Sequence, residues 1–114
     1  MKRLVVLVAG AMIASTASAS GLTDSQKTGM YRHGNWMWSI AKCSGVKRNK
    51  RYWFFLKEGG KFDNFSQISA LTHGPHFNQG WDYMQKKAIT IGHHEACDYA
   101  MKTWPAMLWR GRIQ

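Results

Sequence analysis

The run Gly92-His93-His94-Glu95-Ala96-Cys97-Asp98 places two imidazoles, two carboxylates and a thiol within seven consecutive residues. On a helix, His93 and Cys97 share one face at i, i+4, and His94 and Asp98 share another. Imidazole and thiolate are zinc and copper ligands, but a structural zinc site takes about four of them and a catalytic one about three. The candidates to complete a set are His73 and His76, which flank Gly74-Pro75, and the isolated His33. The metal reading therefore rests on His93, His94, His73 and His76 meeting in the fold. The competing chemistry is a disulfide. The chain has two cysteines, Cys43 and Cys97, so one intramolecular pairing exists, and in an exported protein an even count reads as that bond. Oxidation removes the thiolate from the metal set. The expectation is a Cys43–Cys97 bond with the histidine run as its anchor at a helix start, and no cofactor.

Nucleophilic and acid–base catalysis find no constellation. The chain has 6 acidic residues in all, none paired as an acid and a base. Ser44 and Ser66 lie outside any Gly-x-Ser-x-Gly turn, and no glycine-rich loop stands ready for a phosphate. Met37, Met84 and Met101 fall on apolar stripes, where methionine fills gaps in a core. The sequence reads as that of a non-enzyme, with no catalytic residue to name.

What must hold these groups begins with a leader. Lys2 and Arg3 precede an apolar run from Leu4 to Ile13, and Ala17-Ser18-Ala19 follows with the small-x-small pattern of a signal-peptidase site. The run is shorter than the roughly 20 residues a bilayer span needs. The expectation is export with cleavage after Ala19, giving a periplasmic or secreted single domain over residues 20–114 with no transmembrane segment. A domain of that size sits at the low end of what one hydrophobic core sustains. Closing a loop of about 54 residues removes denatured-state entropy worth about 4 kcal/mol in the loop-closure model. The bond thus weighs heavily against a net stability of about 5–15 kcal/mol.

Apolar spacing along the chain is mostly helical. Thr23-Asp24-Ser25-Gln26 is a capping box, so a helix starts there, with Gly34-Asn35 a point of interruption. Trp36, Met37, Ile40, Ala41 and Cys43 then share one arc, and Ser44-Gly45 supplies the stop. The five large apolar residues Tyr52 to Leu56 do not separate strand from helix by period. Residues 46–58 stay open between helix and strand, with a lean to helix because the other segments are helical and a lone strand has no partner here. Phe62, Phe65, Ile68 and Leu71 give a short amphipathic helix, broken at His73-Gly74-Pro75. Phe77, Trp81, Met84, Ala88 and Ile91 mark a longer one ending at Gly92. Ala96, Cys97, Ala100, Met101 and Trp104 stripe the last, which Pro105 stops. The tail from Ala106 is left open between packing back and lying loose. The predicted fold is all-α, a small bundle of four to five short helices stapled by one disulfide. Its predicted core is Trp36, Ile40, Phe77, Trp81, Met84, Ala88, Cys97 and Met101.

The surface carries a stronger signal than the interior. Lys and Arg number 16 against 6 Asp and Glu, a formal charge of +10, and removal of Lys2 and Arg3 with the leader leaves the chain strongly basic. Lys47, Arg48, Lys50 and Arg51 run directly into Tyr52, Trp53, Phe54 and Phe55. Cations beside rings suit an anionic, partly apolar partner such as lipid headgroups, lipopolysaccharide or an acidic protein groove. Nucleic acid fits the charge, but an exported protein seldom meets it.

The layout resembles small exported two-cysteine helical proteins of α-proteobacteria, with one cysteine near the end of the first long helix and one in the last. Phe77-x2-Gly80, and Ala96-Cys97 followed by Ala100 and Trp104, carry the likeness. The two-cysteine helical plan is also similar to periplasmic acid-stress chaperones of the HdeA type, whose disulfide links two helices. That resemblance implies a binding, chaperone-like role. The functional expectation is an exported, non-catalytic protein that protects or inhibits another envelope protein. Direct binding to an anionic envelope surface is the first alternative, and histidine-dependent metal binding the second.

Overall fold

A computed structural model describes residues 21–111, and the expected leader over residues 1–19 lies outside them. Helix α1 runs Asp24–Lys42, strand β1 Val46–Arg48, α2 Tyr52–Gly60, α3 Phe65–Leu71, α4 Pro75–Ile91, α5 His93–Thr103 and strand β2 Leu108–Arg110. The fold is small and helical, as the periodicity predicts, and it carries the single Cys43–Cys97 disulfide. No described helix is long and apolar enough to cross a membrane.

The α1 start follows from the capping box. Thr23 Oγ1 accepts from the Gln26 amide at 3.1 Å and Gln26 Oε1 accepts from the Thr23 amide at 3.1 Å, so two amides that the first turn leaves unpaired find partners. The helix then passes through Gly34-Asn35 without a break, contrary to the expected interruption. The reason is tertiary. Gly34 lies against the α4 backbone, where a Cβ would strike the Phe77 carbonyl, and Gly80 lies against α1, where a Cβ would strike the Tyr31 carbonyl. Both glycines let two backbones meet, and that close contact outweighs the roughly 1 kcal/mol helix cost of a glycine. Asn35 Nδ2 donates to the Gly80 carbonyl at 2.7 Å, and Trp38 Nε1 donates to Gln85 Oε1 at 2.8 Å. These two bonds fix the register of the crossing.

The α1–α4 pair is the spine, and the other elements close over it. Phe77 and Met84 are buried as predicted, with Trp36 and Cys97, but Ile40, Trp81, Ala88 and Met101 are only partly buried and pack at the core's edge. At the crossing, the helix backbones occupy the space that side chains of the stripe would otherwise fill. Trp38, Met30, Tyr52 and Leu108 take the deepest positions instead.

Residues 46–58 are not one helix. Val46–Arg48 is a strand that pairs antiparallel with Leu108–Arg110, in the register Val46↔Arg110, Lys47↔Trp109, Arg48↔Leu108. The missing partner is the tail, which packs back with Met107 and Leu108 buried. An isolated two-stranded ribbon is marginal in water. Here Val46 and Leu108 anchor it in the core, and two further amide bonds close its ends, Asn49 to the Met107 carbonyl and Gly111 to the Gly45 carbonyl, each 2.9 Å. The disulfide ties the α1 C-cap, directly before β1, to α5, directly before β2. Helix begins only at Tyr52.

Candidate functional site

The histidine run that opens α5 is the disulfide anchor. Cys97 is bonded to Cys43, with Cα atoms 5.8 Å apart, and its sulfur lies 3.7 Å from His93 Nε2. His94, exposed, pairs with Asp98 at 3.2 Å, and Arg110 reaches the same carboxylate at 3.8 Å. His94, Glu95 and Asp98 have ligand atoms within 4.8 Å of one another, but a guanidinium stands on the same carboxylate. His73 and His76 lie at the other end of α4, a helix of 17 residues and so about 25 Å long. The four candidate histidines therefore form two separated pairs, not one coordination set.

The basic–aromatic stretch is positioned by the turn from β1 into α2. Asn49 Oδ1 accepts from the Arg51 amide at 3.1 Å and the Tyr52 amide donates to the Asn49 carbonyl at 2.9 Å, which starts the helix. On α2, Tyr52, Leu56 and Gly60 recur at i, i+4, i+8 and are buried. An unbroken apolar run cannot bury every member on one helix face, so its middle three point outward. Trp53 is 40% exposed, Phe54 48% and Phe55 38%. Tyr52, expected on this surface with its neighbours, is instead fully buried.

The cations do not float free of these rings. Arg48 Cζ lies 5.3 Å from the Trp53 ring centre, and Arg51 Cζ lies 4.8 Å and 5.3 Å from those of Phe54 and Phe55. At such distances a guanidinium is held by the ring quadrupole while its donors stay open to an anion. Lys47, Arg48, Asn49 and Lys50 join Trp109 around a shallow basin of about 460 Å³. Trp109, 51% exposed, stands across the ribbon from Lys47. Lys47, Arg48, Lys50, Arg51, Trp53, Phe54, Phe55 and Trp109 thus make one cationic–aromatic rim.

Behind Trp53 lies the isolated histidine of the sequence. His33 is 1% exposed, and its Nδ1 is hydrogen-bonded to the Tyr52 hydroxyl at 2.7 Å. Its ring sits edge-on to Trp53 and Phe77, 5.5 Å and 5.2 Å between centres. Burial, with the nearby Arg48 and His73 charges, lowers its pKa from 6.5 to about 4, so the imidazole is neutral at neutral pH. Burial likewise pushes the Tyr52 hydroxyl far above its usual range. The signal was available in the spacing: Met30, His33, Gly34 and Met37 recur at i, i+3, i+4, i+7, which puts His33 on the inward face.

No protein-family model matches the chain, and no curated protein or solved structure is significantly similar to it.

Proposed function

We propose that this is an exported, non-catalytic protein that acts by binding, and that it binds anionic envelope surface through the rim from Lys47 to Phe55 together with Trp109. The observation that carries this reading is the outward display of Trp53, Phe54 and Phe55 beneath the Arg48 and Arg51 guanidinium groups. A contiguous exposed apolar patch costs a water-facing protein solubility and marks a contact surface. Large rings partition to the headgroup level of a bilayer. Basic residues at an anionic surface each contribute about 1 kcal/mol, so four of them supply about 4 kcal/mol before any ring is buried. The disulfide and the lack of a membrane-spanning helix among the described residues support an exported protein that reaches a membrane only from its surface.

The test is co-sedimentation with phosphatidylglycerol vesicles. Binding should fall steeply between 0.1 M and 1 M salt, as the Debye length shrinks from about 10 Å to about 3 Å. It should vanish when Lys47, Arg48, Lys50 and Arg51 are all replaced by Gln. Absence of binding at low salt overturns the reading and returns the choice to a protein partner.

A further inference from the structure

Behind the rim, α1, α2 and α3 enclose an open cleft of about 670 Å³, within the roughly 300–1,000 Å³ of small-molecule sites. Its walls include His33, Met37, Trp53, Phe65 and Ile68. Two wall residues hold a guanidinium: Arg48 Nη1 lies 3.8 Å from Met37 Sδ, and its Cζ lies 5.3 Å from the Trp53 ring centre. The cation therefore stands beside the cleft, at the seam with the rim. The buried polar group in the wall, His33, already shares a 2.7 Å hydrogen bond with Tyr52 and is neutral, so it offers no counter-charge to a buried anion. The lining is apolar along Met37, Trp53, Phe65 and Ile68 and polar at Ser69, Thr72 and His73; with the Arg48 guanidinium at its edge, it is complementary to an amphiphile whose tail enters and whose head stays out.

We infer that this cleft takes the alkyl chain of a medium-chain fatty acid, with its carboxylate on Arg48. The inference deepens the reading of the rim as a contact for anionic amphiphiles, and it rests on that reading for the role of Arg48. A guanidinium meets a carboxylate with two parallel hydrogen bonds. A single cation matches the single charge of a carboxylate, whereas a phosphate monoester carries about −1.5 to −2. Arg48 lines the neighbouring basin together with Lys47 and Lys50, but it also reaches Met37 and Trp53 of the cleft wall.

Calorimetric titration of the oxidised full-length mature protein with octanoate, decanoate and dodecanoate, all below micelle formation, tests the inference without any variant. Each buried methylene should tighten binding by up to about fourfold, and dodecanol should bind at least tenfold more weakly than dodecanoate. Arg48→Gln should erase the preference for dodecanoate over dodecanol. Ser69→Trp, which places an indole in the cleft wall, should abolish dodecanoate uptake while far-ultraviolet dichroism stays that of the parent. The paired variant Lys47→Gln/Arg51→Gln should keep dodecanoate uptake while losing vesicle binding. Failure to bind dodecanoate, affinity independent of chain length, or unchanged uptake by a folded Ser69→Trp protein would overturn the inference. Vesicle binding without dodecanoate uptake sinks this cleft and spares the rim; dodecanoate uptake without vesicle binding does the reverse.

Discussion

Acidification should weaken this fold through His33, and the size of the effect follows from its surroundings. The imidazole is buried against Tyr52, Trp53 and Phe77, with the Arg48 charge nearby. Its folded pKa is about 4, against 6.5 for the free group. Between those values the unfolded chain binds the proton and the folded chain does not, so stability falls as pH falls. The contribution is fully present above pH 6.5 and is lost progressively down to about pH 4. At about 1.4 kcal/mol per pH unit, the loss amounts to about 3 kcal/mol, a large share of a net stability of about 5–15 kcal/mol. Urea unfolding followed by tryptophan emission at pH 7.5, 6, 5 and 4 measures it. The matched control is His33→Phe/Tyr52→Phe, which removes both partners of the 2.7 Å bond and leaves no buried hydroxyl unpaired. All other ionisable groups are common to both proteins, so the difference between the two profiles isolates the His33–Tyr52 pair. Parallel profiles for parent and double variant would refute the reasoning.

Other substitutions give sharper contrasts. Gly80→Ala drives a methyl into the Tyr31 carbonyl, a backbone atom that cannot swing aside, and should cost about 3 kcal/mol or more in thermal or urea unfolding. Gly59→Ala, on α2 with nothing within 4 Å of the added carbon, should stabilise by about 0.5–1 kcal/mol in the same assay. Cys43→Ser/Cys97→Ser should lose about 4 kcal/mol through the freed loop, and intact mass before and after reduction and alkylation should show no free thiol in the parent. Phe54→Ser/Trp109→Ser, at 48% and 51% exposed positions, should leave the unfolding midpoint nearly unchanged while cutting vesicle binding at least tenfold.

The parts legible in the sequence are those with local causes. A capping box and a buried Phe77–Met84 stripe announce α1 and α4 because each feature acts within a turn or two. Gly34 was misread because its role depends on Gly80 and the α4 backbone, far away in sequence. Whether Val46–Arg48 is strand or helix is not legible for the same reason, since its strand partner is Leu108–Arg110 and a three-residue strand has no period of its own. Partial exposure of Trp81 and Ala88 follows from how closely α1 and α4 approach, a quantity that no single helix contains. In the candidate site, the cations and rings from Lys47 to Trp53 were visible as composition. That Tyr52 turns inward to His33 while Phe54 and Phe55 join the surface, and that Trp109 completes it, required the phase of α2 and the ribbon register.

The orientation of the protein on an anionic bilayer tests the central claim most directly. Amide and indole resonances of the labelled protein can be followed on phosphatidylglycerol bicelles doped with a lipid bearing a nitroxide near the headgroup. Broadening is expected at Arg51, Trp53, Phe54, Phe55 and the Trp109 indole, and absent around Ile89 and Ile91, two exposed apolar residues, 76% and 44% accessible at the far end of α4. Broadening centred on Ile89 and Ile91 with the α2 resonances untouched would contradict the account.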